Sequence, residues 1–252
     1  MITDPLFYLV AIAAVTALGL SKGGFAGLGL AATPLLTLVV PPLQAIALLL
    51  PILVVQDVLS VWVYRKSWSG WNLAVMVPGA IVGTGVAWLV AAHVNDAYVR
   101  LAIGLTSLAF TLNHWFGKRP PETGTQPSAG SGVFWGSLAG FTSFLANSGA
   151  PPFQVHVLPQ RLDKETYVGT LTLFFASCNA LKVVPFFFLG ELHTGNLLTS
   201  LTLLPLAVAT NLAGVWLVRR TPTDLFYRIA YILIFLVSLE LIRNGLMSIL
   251  AK

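Results

Sequence analysis

The sequence predicts an all-α polytopic membrane protein with about 8–10 transmembrane segments in two inverted repeats, each a broken-helix hairpin followed by three spans. Three observations carry this. The chain is 56% hydrophobic and only 9% charged over 252 residues, with a mean hydropathy of +0.83. Soluble domains carry about 25% charged residues, so this chain lacks the polar surface needed to face water all round. Apolar runs of about 20 residues recur along it, the length at which a helix crosses a hydrocarbon core about 30 Å thick. Two of these runs are broken by Gly, Pro and polar residues at matching places in the two halves.

In chain order the apolar segments lie near 5–20, 24–40, 43–64, 72–92, 98–116, 132–147, 151–158, 167–189, 197–218 and 225–250. Segment 24–40 is preceded by Ser21-Lys22-Gly23-Gly24 and contains Pro34. The stretch 132–158 is interrupted by Asn147-Ser148-Gly149-Ala150-Pro151-Pro152. Both read as short or broken helices. The segment 117–131, rich in Gly, Pro, Thr and Ser, is the one plausible soluble linker. It divides the chain into a first membrane repeat, 1–116, and a second, 132–252.

The formal charge of +5 would suggest a nucleic-acid partner in a soluble protein. Here the basic residues sit in pairs between apolar runs, Arg65-Lys66, Lys118-Arg119 and Arg219-Arg220, which is the pattern of loops that orient a membrane protein. No nucleic-acid partner is expected. The start, Met-Ile-Thr-Asp-Pro, has no basic region of the signal-peptide kind. The lone Cys178 excludes an intramolecular disulfide and argues against a cysteine metal cluster.

The halves echo one another. Pro78 to Val90 matches Pro205 to Val218, Asn95 to Arg100 matches Thr223 to Arg228, and Gly19 to Lys22 matches Gly140 to Ser143. The loop 65–70 is basic, whereas its counterpart 190–196 carries no Lys or Arg. The halves therefore point in opposite directions, with linker 117–131 cytoplasmic and both termini external. Inverted repeats of this kind place their substrate near the midplane, at discontinuous helices. The expected location is the bacterial inner (plasma) membrane.

Candidate substrate-binding residues follow from the two breaks. Irregular backbone survives in a bilayer only where it lines a cavity or is buried in protein. A helix starting at Gly23-Gly24 would aim its positive end at an anion, with Ser21 and Lys22 beside it. Asn147, Ser148 and Gly149 before two prolines offer the same device, with Gln154 one turn on. The bland alternative is an ordinary helix break with Lys22 snorkelling to headgroups. Lys182, flanked by Cys178 and Asn179, lies deep within its span, where an ionisable side chain is usually turned inward. It either attracts an anion or pairs with Asp57 at comparable depth in the first half; the two roles are compatible. His156 either relays protons or is a hydrogen-bonded interface histidine. Gln160 and Arg161 open a charged turn, Gln160 to Glu165, whose charges are solvated or self-paired in the simpler reading. Glu240 and Arg243 read as a local pair. Cys178 reads chiefly as a packing residue.

Gly19-Leu-Ser-Lys22-Gly-Gly24-Phe-Ala-Gly27-Leu-Gly29 resembles the first conserved stretch of the sulfite exporter TauE/SafE family of anion permeases. Asn147-Ser-Gly149-Ala-Pro151-Pro152-Phe-Gln154, continuing through Leu158 to Lys164 and Tyr167 to Thr170, resembles its second. The resemblance covers nearly the whole chain and implies transport of sulfite, sulfoacetate or related organosulfur anions. Asn147-Ser148 departs from the His-Ala or similar pair expected before the glycine.

The sequence thus predicts a secondary permease or exporter for a small sulfur-containing oxyanion, sulfite or an organosulfonate. Its partners are the small anionic substrate, the lipid bilayer, and a proton or sodium ion as candidate coupling ion. One alternative is a carrier for another small solute, neutral or cationic, for which Asp57 is the strongest acidic candidate. Another is a membrane enzyme or a non-catalytic subunit anchoring a partner. No hydrolase triad, zinc spacing or P-loop is present, so neither an enzyme nor a cofactor is expected. Flux through liposomes containing the purified protein separates these readings.

Overall fold

The computed structural model describes residues 2, 4–22, 28–90, 96–116, 128–190 and 192–250, and the regular structure among these is all helix, without a strand. In the first half they form α1 (Pro5–Lys22), a 3₁₀ turn at Leu28–Ala31 leading into the short α2 (Ala32–Leu36), then α3 (Pro42–Tyr64), α4 (Gly70–Val90) and α5 (Asp96–Phe116). The second half repeats the order: α6 (Ala129–Ala146), the short α7 (Ala150–Val157) with a 3₁₀ turn at Leu158–Gln160, α8 (Lys164–Phe188), α9 (Thr194–Arg220) and α10 (Thr223–Leu250). Six of these helices (α1, α3, α4, α8, α9 and α10) combine the length and apolarity needed to cross a membrane among the described residues. The chain is thus all-α and polytopic.

Helix ends fall where local chemistry puts them. Pro41 and Pro42 start α3, and proline suits a first turn because its missing N–H has no partner there in any case. The Asp163 carboxylate accepts from the Thr166 N–H at 3.0 Å and caps α8. His193 caps α9, and Pro222 closes the link from α9 to α10.

Helix pairing is symmetric under exchange of the halves. α1 packs on α9 as α6 packs on α4, and α3 packs on α9 as α8 packs on α4. α3 meets its own counterpart α8, and α5 meets α10. The ends of the bundle differ in charge. Ser69 N–H donates to Thr170 Oγ1 at 2.8 Å and Lys164 Nζ to the Thr221 carbonyl at 2.6 Å. Arg65-Lys66, Lys164 and Arg219-Arg220 therefore gather at one end. Arg65 and Arg220 lie over Trp62 and Trp216 there, at 4.8 and 4.7 Å. At the other end Ile2 N–H donates to Thr199 Oγ1 at 3.1 Å, and Gln44 meets Asn196 at 3.1 Å.

The α4–α6 contact is a backbone-to-backbone approach. In lipid, helices associate through close packing and not through hydrophobic drive, so small residues mark their seams. A methyl added at Gly83 would overlap the Ser137 backbone, and one at Gly136 or Gly140 would overlap the backbone of Met76 or Ala80. Gly85 on the same helix faces open space. Gly83→Ala should destabilise the fold by about 1–3 kcal/mol through overpacking. Gly85→Ala should be neutral or mildly stabilising, because alanine favours a helix. Thermal inactivation of the two variants in detergent, compared side by side, checks this.

Candidate functional site

The two broken segments come together around a short polar chain that crosses the bundle. Lys22, the last residue of α1, forms a salt bridge with Oδ1 of Asp57 on α3. The other carboxylate oxygen of Asp57 accepts from Asn179 Nδ2 on α8 at 2.7 Å. Three residues further along α8, Lys182 Nζ donates to Asn147 Oδ1 at 2.7 Å, to the Ser143 carbonyl at 3.2 Å and to Ser143 Oγ at 3.3 Å. The amide of Asn147 then donates to Thr33 Oγ1 on α2 at 3.1 Å. A cavity of about 70 Å³ opens beside this chain, with Ser21, Lys22, Ser143, Asn147 and Asn179 among its polar walls and Leu53 and Phe175 among its apolar ones. That is far below the 300 Å³ or more of a pocket for a drug-sized ligand, so it suits only a small occupant.

Local backbone chemistry builds the second break. Asn147 ends α6 in the left-handed region at φ 51°, a conformation that Asn tolerates better than other non-glycine residues. Its N–H returns to the Ser143 carbonyl at 3.1 Å, and the Ser148 N–H returns to Thr142 at 3.1 Å, which closes the helix end. The turn swings the Asn147 side chain toward Lys182. Pro151 and Pro152 follow Ala150 in the first turn of α7, and because neither has an N–H, that turn is poor in donors. The anion-attracting power of this break therefore rests more on side chains than on the α7 terminus.

The two lysines differ in electrostatics. Lys22 is 8% exposed and neutralised by Asp57. Lys182 is 1% exposed, and all three of its hydrogen-bonded partners are uncharged oxygens. A buried ammonium without a carboxylate is costly and is found where function requires it. The expected alternative pairing of Lys182 with Asp57 is replaced by Lys22–Asp57, with Asn179 as the second partner of the carboxylate.

The other sequence candidates divide. Ser21 and Lys22 end α1 and do not start a helix; a cation is favoured at a helix C-terminus. Gly23 and Gly24 lie outside the described residues, as do residues 117–127 of the linker. Ser148 and Gly149 pack back on α6: the Ser148 hydroxyl donates to Ala146 at 3.1 Å, and a methyl on Gly149 would meet the Ala139 carbonyl at 2.6 Å. Gln154 donates to Tyr167 OH at 3.4 Å and does not line the cavity. Gln160 forms a reciprocal amide pair with Asn72, at 2.8 and 3.0 Å, and Arg161 is exposed at φ 50°. His156 shares a hydrogen bond with Ser131 at 3.0 Å between Nδ1 and Oγ. Glu240 and Arg243 form the local pair expected of them, at 2.7 Å. Among the described residues no group of three His, Cys, Asp or Glu side chains assembles as a metal site.

Sequence reasoning missed Ser143 and Thr33 as site residues. Ser143 could have been found, since it precedes Asn147 by one helical turn and so shares its face. Thr33 carries no such signal, being a lone hydroxyl next to Pro34.

No curated protein and no solved structure matches the chain. A family model described as Sulfite exporter TauE/SafE matches residues 11–241, a span that takes in both halves, both broken segments and every residue of the polar chain. The chain belongs to the TauE/SafE family of sulfite exporters, a family of membrane transporters.

Proposed function

We propose that this protein is a secondary carrier for a small sulfur-containing oxyanion, sulfite or a short organosulfonate, bound between the two broken segments. One observation carries the reading: Lys182, fully buried and held only by neutral oxygens, bonds Ser143 and Asn147 at the wall of a small cavity to which both halves contribute. A bound oxyanion needs a cation and several donors to replace its water. Lys182 Nζ, Lys22, the Ser143 hydroxyl and the amides of Asn147 and Asn179 are the donors grouped there, with Ser21 beside them in the cavity wall. Asp57 is already satisfied by Lys22 and Asn179, which weakens the reading as a carrier for cations. Radiolabelled sulfite flux into liposomes holding the purified protein tests the proposal. Sulfite flux equal to that of protein-free liposomes would refute it.

The membrane orientation belongs to the same reading. Arg65-Lys66 and Arg219-Arg220 share one end of the bundle, and short basic loops stay on the cytoplasmic side. The linker opened by Lys118-Arg119 should lie there too, in the inner membrane of a bacterium, with 1–116 and 132–252 as oppositely oriented repeats. Ser128, exposed at the start of α6, reports on it. Ser128→Cys, in a Cys178→Ala background, should react with an impermeant thiol reagent only after the inner membrane is opened. Labelling in intact spheroplasts would reverse the orientation.

A further inference from the structure

The charge census of the cavity specifies which ion travels with the substrate. Lys22 at its wall, the Asp57 carboxylate paired with Lys22, and Lys182, bonded to the wall residues Ser143 and Asn147, make two cations and one anion, so the empty site carries a net charge of one positive unit. The helices packed on α3 add little to this. α1 supplies Lys22, and α8 supplies Lys182 and Cys178 within one turn of Asn179, its Lys164, Glu165 and Tyr167 lying about three turns or more away along the helix. α2 carries no ionisable residue, and the ionisable residues of α9, Arg219 and Arg220, sit at its far end. A monoanion therefore balances the site as it stands. A dianion does not.

We infer that Asp57 is a proton site that matches the cavity to the charge of its ligand: a dianion binds together with one proton, taken from water onto the Asp57 carboxylate. A second negative charge close to a carboxylate in a poorly solvated site favours its protonated form. Protonation turns Asp57 neutral and frees the Lys22 ammonium from its partner, so the site reaches two positive units and balances a dianion. The proton is the only other species in the step. A neutral Asp57 can keep one hydrogen bond from Asn179 Nδ2, so that link survives while the salt bridge is released. A monoanion leaves the Lys22–Asp57 pair intact and takes up no proton. This inference rests on the anion-carrier reading and assigns its coupling ion, a proton, for dianions alone.

Proton uptake on binding is the direct measurement. Purified protein in weakly buffered detergent solution is mixed with excess ligand, and a pH-sensitive dye records the protons removed. Sulfite, used above neutral pH where it is mostly the dianion, should remove close to one proton per site. Methanesulfonate, a monoanion at every working pH, should bind and remove none. Over the same range, sulfite affinity of the wild type should rise by up to tenfold per unit fall in pH, because binding is linked to one proton. Asp57→Asn should bind sulfite with no proton uptake and a flat pH profile. Since that variant leaves Lys22 unpaired, Lys22→Gln/Asp57→Asn serves beside it. It keeps one net positive charge, so it should bind methanesulfonate normally and sulfite at least tenfold more weakly, again without uptake.

Wild-type binding of sulfite without proton uptake would overturn the inference, as would uptake with methanesulfonate. Uptake preserved in either variant would do the same, because it would place the proton on a group other than Asp57, such as the ligand itself as bisulfite. If neither anion binds the wild type, the carrier reading fails first, a result distinct from binding without a proton.

Discussion

Lys182→Gln should weaken sulfite binding by about ten- to a hundredfold while leaving the empty protein as stable as the wild type or more so. The first effect follows from charge. A hydrogen bond to an ionised group contributes about 1.5–3 kcal/mol, which is that range in affinity. Gln keeps a donor and much of the stem, so the difference reports the ammonium charge. The second effect follows from the absence of a carboxylate partner. In the empty protein, Lys182 holds a positive charge in a site 1% exposed, against three neutral oxygens. Removing a buried charge that lacks a partner removes its desolvation cost and leaves no orphaned ion behind. Asn147 and Ser143 can be satisfied by the Gln amide. Isothermal titration with sulfite and thermal unfolding of the same preparation read both effects. Unchanged sulfite affinity in a folded Lys182→Gln protein would remove Lys182 from the site. A large fall in stability would make it a structural residue instead.

The positions of the helices were legible from sequence, and the identity of the charge pairs was not. Hydropathy and the Gly, Pro and Asn clusters mark where helices start and stop, because bilayer thickness and backbone hydrogen bonding act along the chain itself. The break at Asn147 to Pro152, the short α7 and the Asp163 cap are all written locally. Pairing across helices is another matter. Spacing along a span gives the depth of a residue, but its azimuth depends on how neighbouring helices rotate and cross. Asp57 and Lys182 share a depth, which suggested a pair. The structure turns Asp57 towards Lys22 at the end of α1, thirty-five positions earlier, and Lys182 towards α6. The same blindness made Gln160 a site candidate. Its amide is committed to Asn72 on α4, eighty-eight positions away. The glycine seam of α4 and α6 was visible as composition, but its meaning needed the partner helix.

Lys22→Gln should do the opposite of Lys182→Gln: it should cost stability first and affinity second. Its carboxylate partner Asp57 is 5% exposed, and its second oxygen bonds only a neutral amide, Asn179. Taking away the ammonium leaves that carboxylate buried and uncompensated, which typically costs about 3–5 kcal/mol when one partner of a buried pair is removed. Lys22→Gln should therefore unfold well below the wild type in a thermal scan, and Asp57→Asn should do so too, through the orphaned ammonium. Lys22→Gln/Asp57→Asn should recover most of the loss, because both charges go together and the remaining amides can hydrogen-bond each other. The two single losses would then sum to far more than the double loss, a coupling expected only of residues in direct contact. A surface lysine snorkelling to headgroups would show no such coupling, and its loss would leave the unfolding temperature unmoved. If the double variant is as unstable as the sum of its parts, the Lys22–Asp57 pair contributes nothing as a pair, and Lys22 returns to being a candidate anion ligand in its own right.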